Sequence, residues 1–211
     1  MRERELAVIR LATMDDLDAI EAIYDAIHTQ EEQGLVSIGW DRAVYPTRAT
    51  AAEAVRAGDM FVLVDDAAAA PAPAPGEAVA AGEAVAAAAP APAPAPARVV
   101  AAARINQEQV PEYADARWEH DAPANQVMVL HTLVVDPTAG GHGYGKKFVA
   151  FYENYAKENG CRYLRMDTNE RNTRARALYA KLGYSEPDIV PCVFNGIPGV
   201  QLVCLEKLLP A

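Results

Sequence analysis

A glycine-rich turn, placed between an apolar run and an amphipathic stretch, is the part of the sequence best suited to chemistry. Residues 127–135 form an apolar, β-branched run typical of a buried strand, which Asp136 and Pro137 end because proline cannot donate to a sheet. The turn that follows contains the glycines Gly140, Gly141, Gly143 and Gly145. A helical pattern begins at once, so several backbone N–H groups and the positive end of a helix dipole point to one place. The sequence therefore predicts an anion site, with phosphate as the expected anion.

Two common phosphate-binding loops match this turn only in part. Residues 140–146 read G-x-x-x-x-G-K, as in a nucleoside-triphosphate loop, but Lys147 stands where Ser or Thr should hold magnesium. The dinucleotide fingerprint is G-x-G-x-x-G, whereas residues 141–145 read G-x-G-x-G. Asp167 ends the next predicted strand, where an acid could bind a ribose, so a dinucleotide enzyme stays open as an alternative.

The turn fits a third device better, since it resembles the pyrophosphate loop of the GNAT acetyltransferases. Residues 134–148, V-V-D-P-T-A-G-G-H-G-Y-G-K-K-F, are similar to that family's strand, proline and R/Q-x-x-G-x-G/A turn. Gly143 and Gly145 take the two small positions, and Gly140 stands where the family has Arg or Gln. Residues 172–184 resemble the second signature of the family, N-x-x-A-x-x-L-Y-x-K-L-G-F/Y, which neither of the other two loops predicts. The resemblance covers most of residues 6–208, apart from one insert.

The resemblance implies an α/β GNAT fold, with a mixed central sheet that is splayed between strands 4 and 5 and helices on both faces. It also implies acetyl-CoA as co-substrate and no metal. The pantetheine arm would pair with strand 4 at Leu133 and Val135 like an added strand, and the pyrophosphate would bind backbone N–H groups of the turn. The implied cofactor-binding residues are Leu133, Val134, Val135, Gly141, His142, Gly143, Tyr144, Gly145, Lys146 and Asn172.

The same resemblance suggests a proton donor and a helix start. Tyr179 aligns with the tyrosine that protonates the departing thiolate, and a phenol carries its proton at neutral pH. The alternative is a tyrosine that only packs inside the helix layer. Asn172 aligns with the asparagine that holds the pantetheine or positions the helix, and a plain N-cap would use the same side chain.

The base that deprotonates the acceptor is less well defined. An amine acceptor must lose a proton before attack, since its pKa lies at roughly 8 to 10. His131 shares strand parity with Leu133 and Val135, subject to any bulge, and is the titratable residue nearest to the expected acetyl group. Glu108 is a second candidate, and a chain of water molecules is the other. No cysteine matches a family nucleophile, which favours direct transfer in a ternary complex over a covalent acetyl-enzyme.

Two large aromatic residues, Trp40 and Tyr45, lie in an otherwise polar connection. The resemblance places this connection over the acceptor end of the cleft, so both are candidates for acceptor binding. The alternative is that they only seal the first helix against the sheet. The expected reaction is acetyl transfer to an amine of a small molecule or peptide.

Hydrophobic periodicity predicts the elements that must hold these residues, in the order β-α-α-β-β-β-α-β-α-β-β. The predicted strands are residues 6–12, 60–64, 98–107, 127–135, 163–168, 190–194 and 200–205. Residues 67–97 are almost entirely Ala and Pro, which favours neither a ladder nor a continuous helix. They are predicted to be a low-complexity insert in the loop between strands 2 and 3, within one domain of residues 1–211.

Composition excludes several classes of protein. With 51% hydrophobic residues the chain is expected to be globular, and it has no apolar run long enough for a membrane span. Residues 1–5 do not resemble a signal peptide, so a cytoplasmic location is expected. The formal net charge of −10 argues against nucleic acid as a partner. Basic residues nonetheless gather near the predicted phosphate site: Lys146, Lys147, Arg171, Arg174 and Arg176.

Two points of function stay open from the sequence. Because Gly140 replaces an Arg or Gln, a GNAT-like module that binds acyl-CoA without efficient catalysis is an alternative to an enzyme. A homodimer is kept as a possible assembly.

Overall fold

The apolar run that precedes the glycine turn forms the central strand of a seven-stranded mixed sheet. The structure is a computed structural model, and it describes residues 7–65 and 98–210. The strands are β1 Ala7–Leu11, β2 Met60–Asp65, β3 Arg98–Asn106, β4 Val127–Val135, β5 Tyr163–Asn169, β6 Ser185–Phe194 and β7 Ile197–Leu208. The helices are α1 Leu17–Glu32, α2 Arg48–Ala57, α3 Tyr144–Glu158 and α4 Thr173–Lys181. The strand order is β1-β2-β3-β4-β5-β7-β6, and only the pair β4–β5 is parallel. The mixed α/β fold predicted from the sequence is confirmed.

Strands β4 and β5 pair over their first halves and then separate. Their register runs from Val127 opposite Tyr163 to Leu130 opposite Met166 and goes no further. Strand β5 stays paired with β7 along its whole length, so the separation opens the edge of β4. The predicted splay between strands 4 and 5 is therefore confirmed, and it begins directly after Leu130.

A bulge interrupts β4 just beyond the start of the splay. Arg104 of β3 lies opposite His131, whereas Ala102 lies opposite Val134, so one residue of β3 opposes two residues of β4. Thr132 lies within the bulge and has a φ of 52°, in the left-handed region that β-branched residues rarely adopt.

The bulge reverses which face of the sheet each later side chain meets. Met128 and Leu130 pack in the cluster formed with α3, and beyond the bulge Leu133 and Val135 pack against the same cluster. His131 precedes the bulge and has the parity of the opposite face. The expectation that His131 shares a face with Leu133 and Val135 is therefore wrong, because one extra residue shifts the alternation.

Helices cover both faces of the sheet. Phe148, Val149 and Tyr152 of α3 pack with Leu164 and Met166 on one face, and we call this group the α3 cluster. Helices α1 and α2 cover β2, β3 and part of β4 on the other face through residues that include Leu17, Ile20, Ile23, Tyr24, Ile27, Ala51 and Ala54. The members of this group on α1 recur every three or four residues, which is the spacing of one helical face.

The ends of the sheet differ from the sequence prediction. Strands β6 and β7 extend well beyond the predicted residues 190–194 and 200–205. Pro187 and Pro191 interrupt the apolar pattern of β6, but β6 is an edge strand, where a missing N–H costs no ladder bond. The insert at residues 67–97 lies outside the described residues. Within residues 7–65 and 98–210, no helix combines the length and apolar composition required to cross a bilayer.

Candidate active site

A cavity of about 1200 Å³ follows the splay between β4 and β5. It brings together parts of the chain that are far apart in sequence: the connection after α1, the bulge of β4, the glycine turn and the start of α4. The predicted site residues that line it are Trp40, Tyr45, Glu108, His131, Leu133, Val134, Val135, Gly141, Gly143, Tyr144, Gly145, Lys146, Asn172 and Tyr179. His142 is predicted for the same site and does not line the cavity. Its ring stacks on Tyr144, with 5.4 Å between ring centroids.

The glycine turn presents free backbone donors to this cavity. Gly143 is the N-cap of α3 with a φ of 71°, and Gly141 has a φ of 89°, so both need the left-handed conformation that glycine tolerates. Among the described residues, no backbone N–H from residue 141 to residue 146 donates to another group. A Cβ on Gly143 would meet no atom within 4 Å. The turn therefore has the free N–H groups and the open space that an anion site requires.

Gly140 occupies the position where the resembled family has Arg or Gln. Its backbone is extended, with a φ of −65° and a ψ of 157°, and a Cβ there would lie 3.6 Å from the carbonyl oxygen of Pro137, an ordinary contact. The glycine is therefore not required by the backbone. A longer side chain would fit at this position.

The basic residues near the turn are not all available to a ligand. Arg176 pairs with Glu186 at 2.6 Å and is thereby directed away from the cavity. Lys146, Arg171 and Arg174 line the cavity, and none of their side chains has an ion pair within residues 7–65 and 98–210. Three cations are thus left to meet a polyanionic ligand.

Tyr144 lines the cavity, but its hydroxyl is already engaged. Its side chain is buried in the α3 cluster, and its hydroxyl donates a hydrogen bond to a carboxylate oxygen of Asp65. Burial, aided by this acid, raises the pKa of Tyr144 to about 12. The bond ties the first turn of α3 to the end of β2, which holds the glycine turn in place.

Asn172 and Tyr179 lie at the two ends of the cavity-facing side of α4. The Asn172 carboxamide accepts a hydrogen bond from the Ala175 N–H at 3.2 Å and donates to Thr168 Oγ1 at 3.1 Å, so it is the N-cap. Tyr179 is buried and lines the cavity, and its hydroxyl has no hydrogen-bond partner among the described residues. Burial raises the pKa of Tyr179 above its ordinary value, so the phenol keeps its proton at neutral pH.

The two predicted base candidates are both constrained. His131 Nε2 lies 3.0 Å from Asn106 Oδ1, and burial, followed by the charge of Arg104, lowers the pKa of His131 to about 4. Asn106 Oδ1 also accepts from the Glu108 N–H, so the histidine nitrogen is the donor in its contact. Glu108 is exposed and pairs with Arg104 at 2.9 Å. Each of the two groups is therefore already engaged, His131 by Asn106 and Glu108 by Arg104.

The structure adds Asp167 to the titratable residues that line the cavity, whereas the sequence suggests it only as a ribose-binding acid. Asp167 follows the last residue of β5 that pairs with β4, and it lines the cavity. The hydroxyl of Tyr113 donates to its Oδ2 at 2.8 Å. Burial raises the pKa of Asp167 to about 6. The sequence signal for Asp167 is an acid at the end of a strand. Whether such an acid lines a cavity depends on where β4 separates from β5, which the sequence does not indicate.

The aromatic pair Trp40 and Tyr45 closes the cavity on the side of α1. Their rings meet nearly perpendicular, with 6.2 Å between centroids, and Trp40 also packs against the core under α1 and α2. Trp40 thus seals α1 against the sheet, as the alternative expectation held, and both side chains line the cavity. Acceptor binding by them stays a prediction.

Other reactive groups lie outside the cavity. Cys161, Cys192 and Cys204 are free and do not line it. A cluster of possible metal ligands, Glu119, His120 and Glu206, lies elsewhere. Glu206 there pairs with Arg165 at 3.0 Å, and the positive charge of that arginine opposes a cation.

The fold and site together define an α/β protein with a cleft between two splayed parallel strands and a glycine-rich turn with free N–H groups at one end. The model of the Acetyltransferase (GNAT) family matches residues 77–184, just over half of the 211 residues. The chain belongs to the GNAT acetyltransferase family.

Relatives with similar sequences are N-acetyltransferases. An uncharacterized N-acetyltransferase of Bacillus subtilis, YhfO, is 34% identical over 61 residues, which is 29% of this chain and 41% of that protein. The aminoglycoside N(6')-acetyltransferase type 1 of Salmonella typhimurium is 28% identical over 82 residues, 37% of this chain and 57% of that protein. The chain thus spans about half the length of the curated relatives that it matches.

Solved structures show the same fold. A GNAT-family acetyltransferase from Streptococcus agalactiae superposes with a TM-score of 0.70 at 20% identity, over 97% of this chain and 96% of that chain. YncA from Salmonella typhimurium, solved with its cofactor acetyl-CoA, gives a TM-score of 0.60 at 15% identity, over 98% of this chain and 95% of its own.

Proposed function

We propose that this chain transfers an acetyl group from acetyl-CoA to an amine of a small molecule or peptide, within a ternary complex. One observation carries the proposal: the open edge of β4 and the free N–H groups at the start of α3 line the same cavity. The first suits an extended amide-containing arm, and the second suits a pyrophosphate. Family membership and the acetyl-CoA complex of YncA support this choice of cofactor.

The cofactor would lie along the cavity with its phosphates at the turn. Backbone donors from Gly141 to Lys146, including that of His142, would bind the pyrophosphate, and the side chain of Lys146 would add a positive charge. The pantetheine would pair with β4 from Leu133 to Val135. Val134 itself is buried toward α1 and α2, so its contribution would come from the backbone.

In the reaction, the amine nitrogen attacks the thioester carbonyl carbon, a C–N bond forms, and the C–S bond breaks. Tyr179 donates its proton to the departing thiolate, because burial keeps that proton in place and no other described group engages the hydroxyl. The mechanism derived from this chain needs no covalent acetyl-enzyme, since none of its cysteines lines the cavity.

The acceptor would enter from the side of Trp40 and Tyr45. An ammonium is attracted to aromatic faces, and the carboxyl group of Asp167 lies in the same cavity. The matched relative from Salmonella typhimurium is an aminoglycoside N(6')-acetyltransferase, which supports a small polyamine-like acceptor as one candidate.

The test combines binding and turnover. Thermal unfolding is followed with CoA, acetyl-CoA, NAD and ATP, and thiol release from acetyl-CoA is followed with a panel of amines: spermidine, benzylamine, kanamycin, lysine and a peptide with a free N-terminus. Stabilisation by CoA and acetyl-CoA but not by NAD or ATP, together with amine-dependent thiol release, supports the transferase. Binding without release by any amine favours the alternative, an acyl-CoA-binding module. Stabilisation by NAD and not by CoA would indicate the dinucleotide enzyme.

Two further expectations remain predictions. Whether the protein forms a homodimer is tested by measuring its molar mass with light scattering after size exclusion. A cytoplasmic location is measured by fractionating the cells that produce the protein.

A further inference from the structure

Asp167 stands at the point where the two central strands part. Leu130 and Met166 form the last pair of β4 and β5, so His131 and Asp167 are the next residues on either side of the opening. Leu164 and Met166 pack in the α3 cluster, whereas Tyr163 packs on the opposite side with β6 and β7. By strand alternation, Asp167 faces away from α3, as His131 does.

One oxygen of this carboxyl group is held and the other is free. Oδ2 accepts the 2.8 Å hydrogen bond from Tyr113, while Oδ1 has no hydrogen-bond partner within residues 7–65 and 98–210. No arginine or lysine of those residues pairs with Asp167, and Arg104, which lines the same cavity, is engaged by Asp59 and Glu108. The carboxyl group thus offers the cavity an uncompensated acceptor in a fixed orientation.

The ionisation of Asp167 suits proton transfer near neutral pH. Burial raises its pKa to about 6, the Tyr113 hydrogen bond lowers it, and the charge of Glu112 raises it. The titratable groups that interact electrostatically with Asp167 are Tyr45, Glu112, Tyr113, Tyr179, Cys192 and Cys204, and His131 lines the same cavity. None of these adds a positive charge at pH 7, since His131 is neutral there.

We propose that Asp167 is the general base of this site and that its Oδ1 takes the proton from the acceptor ammonium, an inference that rests on the proposed acetyl transfer. The freed lone pair attacks the thioester carbon. The nitrogen loses a second proton as the amide forms, and this proton passes to the Tyr179 oxygen, which has given its own proton to the thiolate. The proton on Asp167 passes to solvent after the product leaves.

Asp167 is favoured over the other two candidates on physical grounds. A base with the pKa of Asp167 binds a proton about a hundredfold more tightly than one with the pKa of His131, since each pKa unit is a factor of ten. Glu108 is exposed, and its carboxylate already forms an ion pair with Arg104. Tyr113 is then a positioning residue, because its hydroxyl holds Oδ2 and leaves Oδ1 without a partner among the described residues.

The test is the variant Asp167→Asn with the best acceptor of the amine panel, measured from pH 5 to pH 10. We expect kcat/KM for the amine at pH 7 to fall roughly a hundredfold or more, with the thermal shift by CoA unchanged. The wild-type rate falls below about pH 6 as the carboxylate is protonated, and this limb disappears in the variant. The difference in kcat/KM between the wild type and the variant narrows toward pH 10, where the amine is already deprotonated.

Substitutions of two residues that interact with Asp167 test the same assignment while they keep its carboxyl group. Tyr113→Phe removes a bond that lowers the pKa of Asp167, so the acidic limb moves to higher pH. Glu112→Gln removes a charge that raises that pKa, so the limb moves to lower pH while the plateau rate is kept. These opposite shifts would not arise if Asp167 only stabilised the fold.

Three outcomes overturn the assignment. The first is an Asp167→Asn variant with wild-type activity at pH 7, and the second is an equal deficit at every pH. The third is an acidic limb that neither Tyr113→Phe nor Glu112→Gln moves. A wild-type protein that binds CoA and acetylates none of the panel amines overturns the proposed function itself, which distinguishes the two failures.

Discussion

The hydroxyl of Tyr45 forms a hydrogen bond with Oγ1 of Thr132, the residue that holds the bulge of β4 in the left-handed region. This contact joins the connection after α1 to the strand segment that faces the splay. The side of the cavity that we propose for the acceptor is therefore coupled to the conformation of the strand that we propose for the cofactor.

We expect Tyr45→Phe to lower the free energy of unfolding by about 1 kcal/mol, because it removes a half-buried hydrogen bond and keeps the ring. Chemical denaturation of the wild type, Tyr45→Phe, Thr132→Ala and the double variant measures the coupling between the two side chains. Additive effects of the two substitutions would show that the contact does not stabilise the protein.

Much of this architecture follows from local pattern. Strand β4 has the bounds predicted from its apolar run, because a buried parallel strand needs a continuous β-branched stretch. Gly160 follows the end of α3 with a positive φ, as its position after the helical pattern predicts. The glycine turn could likewise be predicted as an anion site, since its N–H groups are a local property of the chain.

The features that sequence reasoning missed depend on tertiary context. Thr132 is a poor residue for a positive φ, so nothing in the local pattern indicates a bulge there, and the register with β3 determines it. The role of Asp167 depends on the divergence of β4 from β5. Neither strand carries a residue pattern that marks where the pairing ends.

Gly143→Val should abolish the thermal stabilisation by CoA. The φ of 71° disfavours a branched residue, and the new side chain would fill the space in front of the free N–H groups. The wild type should gain roughly 2.7 kcal/mol of stability at a hundredfold excess of CoA over Kd. Calorimetry with and without CoA measures the difference.

Gly160→Val is the matched control, because Gly160 has a φ of 72°, also lies in open space, and follows the other end of α3. Both variants should lose similar stability without ligand. Only Gly143→Val should lose the response to CoA, and equal responses in the two variants would remove the turn from the proposed cofactor site.

Gly140→Arg should strengthen CoA binding by roughly tenfold, because a guanidinium at that position would add charge-assisted hydrogen bonds to the phosphates. The extended backbone of Gly140 and the 3.6 Å contact of its Cβ allow the substitution without strain. Isothermal titration with CoA gives the affinity. Gly140→Glu is the charge-reversed control and should weaken binding, whereas equal affinities for the two variants would place the phosphates elsewhere.

Tyr179→Phe should lower kcat by roughly ten- to a thousandfold and change the affinity for acetyl-CoA little. Tyr179 lines the cavity, its hydroxyl has no hydrogen-bond partner among the described residues, and burial keeps it protonated. Its contribution grows only as negative charge develops on the sulfur, so the loss should appear in kcat and not in binding. Phenylalanine keeps the ring and hence its edge contact with Tyr184, 6.0 Å away between centroids.

Tyr184→Phe is the matched control for this prediction. Tyr184 is also buried, and its hydroxyl contacts Glu153 at 3.3 Å outside the cavity, so its removal should affect stability but not kcat. Single-turnover measurements separate the chemical step from product release. Wild-type single-turnover rates in Tyr179→Phe would exclude Tyr179 as the proton donor. A loss confined to the KM for acetyl-CoA would make it a binding residue, because a proton donor acts on the transition state and not on the bound ground state.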